Sequence, residues 1–129
     1  MQKGYVTVRA FTREQISPVS GASVYIVTNG ENREKNIERL LITDENGKTP
    51  VIEIDAPDIE LTETPDYTGT PYTLIDIFVY RDAFYTIKVE DVQVFADRVT
   101  VQNIEMIPLP ENFNEVDDVN VFVVKPQNL

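Results

Sequence analysis

Apolar and polar residues alternate with period two along most of the chain, the pattern of strands that bury one face. In "YVTVRAFT", Val6, Val8 and Ala10 fall on one side, with Thr7, Arg9 and Phe11 on the other. "ASVYIVT" sets Ala22, Val24 and Ile26 on one face, and "VIEID" opposes Ile52 and Ile54 to Val51 and Glu53. "YTLIDIFVY", "FYTIKVE", "VQVF" and "RVTVQNIEMIPL" are likewise short, β-branched or aromatic, and bounded by turn residues. "NREKNIERLL" admits a helix, but it is short, and Ile37, Leu40 and Leu41 also suit a strand entered from a polar loop, the reading we favour. This spacing predicts an all-β sandwich of about seven strands over residues 1–110. Residues 111–129 read as an acidic, turn-rich C-terminal segment that closes on "VFVVKPQNL", a short edge strand or a linker. An apolar edge at 119–124 offers a route to self-association, and with it the alternative of a structural protein that assembles through edge strands.

The turns fit strands. "SPVSGAS" brings Pro18 and Gly21 to a bend, and "TDENGKT" brings Asn46-Gly47, a pair suited to a hairpin with positive φ. The same letters raise calcium, since Asp44, Glu45 and Asn46 all carry oxygen ligands. An EF-hand loop needs a Glu at its twelfth position, whereas counting from Asp44 reaches Asp55 across Pro50, Val51 and Ile52. A turn is therefore expected; a calcium-dependent binder or small enzyme is the lesser alternative. The longest irregular stretch is "APDIELTETPDYTGTPY", residues 56–72. Tyr67 and Tyr72, flanking Gly69 and Pro71 and joined by Asp66, form the candidate ligand-binding set, a platform for stacking on a sugar ring. The favoured reading is a crossover between sheets with half-buried tyrosines.

Composition removes much chemistry. The 129 residues contain no Cys, no His and no Trp. A thiol nucleophile, a thiolate zinc site and the commonest general base are thereby excluded. Carboxylate pairs arise by chance among 22 acids, the three serines (Ser17, Ser20, Ser23) crowd one bend, and no glycine-rich phosphate loop occurs. No catalytic residue, metal ligand or cofactor is assigned, and the chain is expected not to be an enzyme. Its formal net charge is −11, with no base between Lys48 and Arg81 or from Val99 to Val124. Such a surface repels phosphate backbones and anionic lipid, so neither nucleic acid nor membrane is an expected partner. No apolar run approaches a membrane span, and Met1-Gln2-Lys3-Gly4 leads directly into strand pattern. A cytoplasmic or spore-associated location is expected over a secreted one.

"SPVSGASVYI", "TDENGKT" and "PYTLIDIFVYRDAFYTIKVEDVQVF" together resemble the carboxypeptidase regulatory-like, transthyretin-like β-sandwich family. The resemblance lies at Pro18, Gly21, Ala22 and Val24 and at Thr43, Asp44 and Gly47. Ala83 stands where the family usually has Gly, which suggests a slightly different turn there. The connecting pieces, among them "IDAPDIE" and "VEDVQVFADRVTVQNIEMIPLP", look like an arrangement found at the N-terminus of clostridial spore cortex-lytic and peptidoglycan-binding proteins. The resemblance implies a Greek-key, prealbumin-like sandwich. It also implies a non-catalytic accessory module whose partner is peptidoglycan or a cell-wall protein. The related transthyretin-like hydrolases of urate catabolism use His residues and a terminal Tyr-Arg-Gly-Ser; this chain has neither, so that activity is not implied.

Overall fold

The computed structural model describes residues 2–13, 17–29, 35–57, 71–110 and 121–124. Among them are nine strands: β1 (Gln2–Thr12), β2 (Ser17–Pro18), β3 (Ser23–Asn29), β4 (Lys35–Ile42), β5 (Ile52–Ala56), β6 (Thr73–Tyr80), β7 (Thr86–Val94), β8 (Val99–Met106) and β9 (Val121–Val124). They form two sheets. In sheet I, β1 is central, with β8 parallel along one side and β5 and β2 antiparallel end to end along the other. Sheet II runs β4-β3-β6-β7-β9, antiparallel except for β7 with β9. The segment read as helix or strand is β4.

Alternation puts the apolar residues between the sheets. Val6, Val8 and Ala10 of β1, Ile52 and Ile54 of β5 and Ile104 and Met106 of β8 face Val24 and Ile26 of β3, Ile75, Ile77 and Val79 of β6, and Ile87, Val89, Val92 and Val94 of β7 in one core. Fully burying side chains of this size contributes about 1.5–3 kcal/mol each, which stabilises the sandwich without disulfides.

Two irregularities were not legible. "FYTIKVE" and "VQVF", read as separate strands, are one strand with a bulge. Ile75 and Ile77 pair with Val92 and Val89, so Glu90 and Asp91 stand opposite Asp76, and Asp91 takes φ +59°. The Asp91 N–H donates to the Asp76 carboxylate at 3.1 Å, which fixes the extra residue in place. β4 also bulges, its register slipping between Arg39 and Ile37.

The "TDENGKT" turn corrects a second expectation. It turns the chain with Gly47 at φ +73°, but it does not join paired strands. β4 lies in sheet II and β5 in sheet I, so the loop is a corner between sheets. Its far limb continues the ladder of β1. Ala10 N–H donates to Gly47 C=O (2.7 Å), Val19 N–H to Ala10 C=O (3.0 Å), and Thr49 N–H to Val8 C=O (2.9 Å). Val8 N–H donates to the Thr49 hydroxyl (2.9 Å), a side-chain oxygen standing in for a strand carbonyl. The connection over 57–72 likewise leaves sheet I and enters sheet II, as a crossover must.

Candidate functional site

The residues that carried the family resemblance interlock. The Thr43 hydroxyl donates to Val19 C=O (2.7 Å) and accepts from Ala22 N–H (2.9 Å). Its backbone takes Gly21 N–H and gives to Ala22 C=O, both at 3.0 Å. Gly21 lies at φ +72°, with the Arg81 side chain packed over it and donating to Ser20 C=O at 3.1 Å. Arg81 therefore reaches the neighbouring loop, and Asp82 accepts the Tyr80 hydroxyl at 2.8 Å. A Cβ on Gly47 would lie 2.3 Å from Ala10 O, so a glycine is required where the loop passes under β1.

Asp44 is the acid a cation would need. One of its carboxylate oxygens accepts Asn46 N–H (2.8 Å) and Lys48 N–H (3.0 Å). That is an Asx-turn arrangement, in which the side chain satisfies backbone donors of its own loop. Among the described residues no three acidic side chains gather as metal ligands would.

Of the candidate ligand set, Tyr67 and Asp66 lie outside the described residues. Tyr72 is half-buried, its ring edge-on to Phe95 with centroids 5.6 Å apart. Arg98 lies over the same Phe95 ring, 5.8 Å from its centroid. Tyr72 therefore belongs to a small aromatic cluster at the β7–β8 turn.

The register brings together a surface that the sequence did not announce. On the outer face of sheet II, Leu40, Tyr25, Phe78 and Lys88 form one row across β4, β3, β6 and β7. Ile42, Ser23 and Tyr80 form the next. Leu40 and Ile42 are 57% and 62% exposed, Tyr25 36% and Tyr80 49%, so four large apolar or aromatic side chains meet solvent on adjoining strands. Lys88 closes the row with Nζ 5.3 Å from the Phe78 ring centre and 2.8 Å from a Glu90 carboxylate oxygen. The hydrogen bond to Glu90 is the main reason its ammonium is held above the ordinary lysine value; burial opposes it. Below that row, Val27 and Asp76 occupy the same outer face but are buried. The arrangement suits docking through stacking and apolar contact.

No known family model matches the chain, and no curated protein does. Among solved structures it is similar to a type II cohesin–X-dockerin complex chain from Acetivibrio cellulolyticus, with 16% identity, a TM-score of 0.41 and 82% of this chain covered. A 9R-lipoxygenase from Cyanothece is similar at 11% identity and TM-score 0.39, with 96% covered. The chain spans 56% of the first of those chains and 16% of the second. No helix among the described residues is long and apolar enough to cross a membrane.

Proposed function

We propose that this chain is a non-catalytic interaction module with a transthyretin-like, Greek-key topology, serving bacterial cell-wall or spore-cortex (peptidoglycan) processing. The observation that carries the interaction reading is the outer face of sheet II, where Tyr25, Leu40, Ile42 and Tyr80 are exposed side by side. The topology is supported by the two resemblance turns, which both serve as corners between sheets, and by β1 lying parallel to β8. The non-catalytic part is supported by the use of Thr43 and Asp44. Both are chemically capable groups, and both already bind backbone. The wall setting rests on the sequence resemblance.

The test is co-sedimentation of purified protein with insoluble peptidoglycan across a salt series. Tyr25→Ala/Tyr80→Ala probes the sheet face, and Tyr67→Ala/Tyr72→Ala probes the long connection. Salt-tolerant pelleting lost in the first variant supports a wall module that binds through sheet II. Loss in the second variant alone moves the site to the 57–72 connection. No pelleting by the parent protein sinks the peptidoglycan reading, and release of soluble muropeptides would overturn the non-catalytic one.

A further inference from the structure

Asn46-Gly47 is a reactive pair as well as a turn. With no side chain on the second residue, its backbone nitrogen can approach the amide carbon of the asparagine before it. The Gly47 nitrogen, giving up its proton to a solvent base, attacks Asn46 Cγ. The Cγ–Nδ2 bond breaks, ammonia departs, and a five-membered succinimide remains. Water then opens one of its two carbonyls and leaves aspartate or, with the main chain rerouted through the side chain, isoaspartate. The sequence holds two such pairs, Asn29-Gly30 and Asn46-Gly47, and every other Asn precedes a larger residue. Gly30 lies outside the described residues, whereas the second pair is described in full.

Gly47 N–H donates to Asp44 C=O at 2.9 Å, which closes a four-residue turn with Asn46 in third place. Asn46 keeps a negative φ, so the turn is type I and its ψ lies at about 0°. At that ψ the Gly47 nitrogen eclipses the Asn46 nitrogen, whereas ring closure needs it beside Cβ. Turning ψ would swing the Gly47 peptide, and that peptide is clamped. Its C=O takes Ala10 N–H at 2.7 Å. On either side of it, Asn46 N–H and Lys48 N–H are held by one Asp44 carboxylate oxygen at 2.8 and 3.0 Å. Room is scarce as well, since a Cβ on Gly47 would stand 2.3 Å from Ala10 O and 3.1 Å from both Pro18 Cβ and Val19 N. Solvent reaches the exposed Asn46 side chain, but the nucleophile does not.

We propose that Asn46 is a modification site held shut by the fold: it deamidates only when the corner opens, and isoaspartate there stops the corner from closing again. The second half follows from what comes next along the chain. Gly47 C=O bonds Ala10 N–H, the Thr49 hydroxyl accepts Val8 N–H, and Thr49 N–H bonds Val8 C=O. Isoaspartate adds one methylene to the main chain between the Asp44 cap and this ladder, so the cap and the β1 bonds no longer fit together. Two backbone donors and two acceptors then compete for one register in a place closed to water. Unfolding is thereby made one-way: a chain that stays folded stays intact, and a chain left open is marked at Asn46 and barred from the native corner.

The experiment incubates the full chain in mildly alkaline buffer, native and in urea, and follows each Asn-Gly pair by peptide mapping with mass spectrometry. In urea Asn46 and Asn29 should react at the same rate, since nothing but the dipeptide then matters. In native buffer Asn46 should react at least about tenfold more slowly than in urea, because the corner must open first. Asp44→Ala removes both carboxylate bonds and should raise the native rate severalfold. Asp44→Asn keeps a side-chain acceptor without the charge and should stay near the parent. For the lock, chains carrying Asn29→Ser are aged in urea and then diluted. Refolding yield should fall in step with isoaspartate at position 46, and an added Asn46→Ser should keep it whole. A native rate within about tenfold of the urea rate overturns the proposal. So does an Asp44→Ala rate equal to the parent's, or full refolding of chains that carry isoaspartate.

Discussion

Replacing Thr43 by Val tests whether the corner residues hold the two sheets together. Thr43 is buried, and valine fills nearly its shape. The lost hydroxyl is donor to Val19 C=O and acceptor from Ala22 N–H, so the substitution leaves two backbone groups without that partner in a site closed to water. Each such orphan costs about 1–3 kcal/mol, and the extra methyl returns only part of that, so a net loss of about 2–4 kcal/mol is expected. For a domain of this size the melting temperature should fall by about 4 °C per kcal/mol. The assay is urea unfolding followed by far-UV circular dichroism, read with the slope m unchanged. Thr43→Ser is the necessary companion. It keeps the hydroxyl and removes one methyl, a loss of about 1 kcal/mol. Apolar burial alone would make Val the better replacement, whereas the hydrogen-bonded corner makes Ser the better one. A Val variant as stable as the Ser variant would refute the reasoning.

Gly47→Ala should unfold the protein or destabilise it by more than about 3 kcal/mol, because its Cβ would meet Ala10 O at 2.3 Å, a contact only backbone movement relieves. Ala83→Gly should do the opposite. Ala83 sits at φ +72°, where an L-residue is strained by about 1–2 kcal/mol, and glycine's added freedom returns part of this, leaving a gain of about 0.5–1 kcal/mol in the same urea assay. Calcium against chelator should leave the melting temperature within about 1 °C, because a ligand of the native state would have to raise it and the Asp44 carboxylate is already held by two N–H groups. The Lys3–Asp55 pair predicts a pH signature. Hydrogen bonding to Lys3 lowers the Asp55 pKa, so its contribution is present above the ordinary carboxylate value and lost as pH falls through the lowered one. The same bond raises the Lys3 pKa, and that contribution is present below the ordinary lysine value and lost as pH rises through the raised one. Lys3→Met should therefore reduce stability at neutral pH, weakly because both groups are exposed, and match the parent near pH 2. An equal deficit at both pH values would mean lost packing rather than lost charge.

Buried faces were readable because the period of two is unforgiving. A one-residue slip would turn Val6, Val8 and Ala10 to solvent and bring Thr7 and Arg9 inward. What period alone does not carry is which sheet a strand joins. "TDENGKT" has the letters of a hairpin, yet the Thr49 hydroxyl and Gly47 carbonyl bond to β1, and β5 follows them into the other sheet. Ala83 makes the complementary point. Its departure from glycine suggested a different turn, but the backbone keeps φ +72°. The turn is held from both sides, by Phe84 N–H on Arg81 C=O and Leu109 N–H on Ala83 C=O, and the residue accepts the strain.

The outer face of sheet II was hidden for a different reason. In "RLLI" three apolar residues run together, and periodicity cannot say which of Leu40, Leu41 and Ile42 turns outward until the partner is known. Register decides it. Leu41 stands opposite core-facing Val24, so Leu40 and Ile42 must share the solvent side with Tyr25 and Tyr80. The motif residues stand out in the sequence because backbone geometry demands particular types, a glycine at positive φ or a hydroxyl between two loops. The docking face we propose asks only for large apolar and aromatic groups, the same types that build a core. Reading function from this chain therefore depends on strand pairing first, and a substitution that disturbs pairing without unfolding, such as one at the β4 bulge, should alter binding through Leu40 and Ile42 before it alters stability. Peptidoglycan pelleting measured beside urea unfolding on a Glu38→Pro variant tests this: a loss of stability with pelleting unchanged would separate the face from the register that places it.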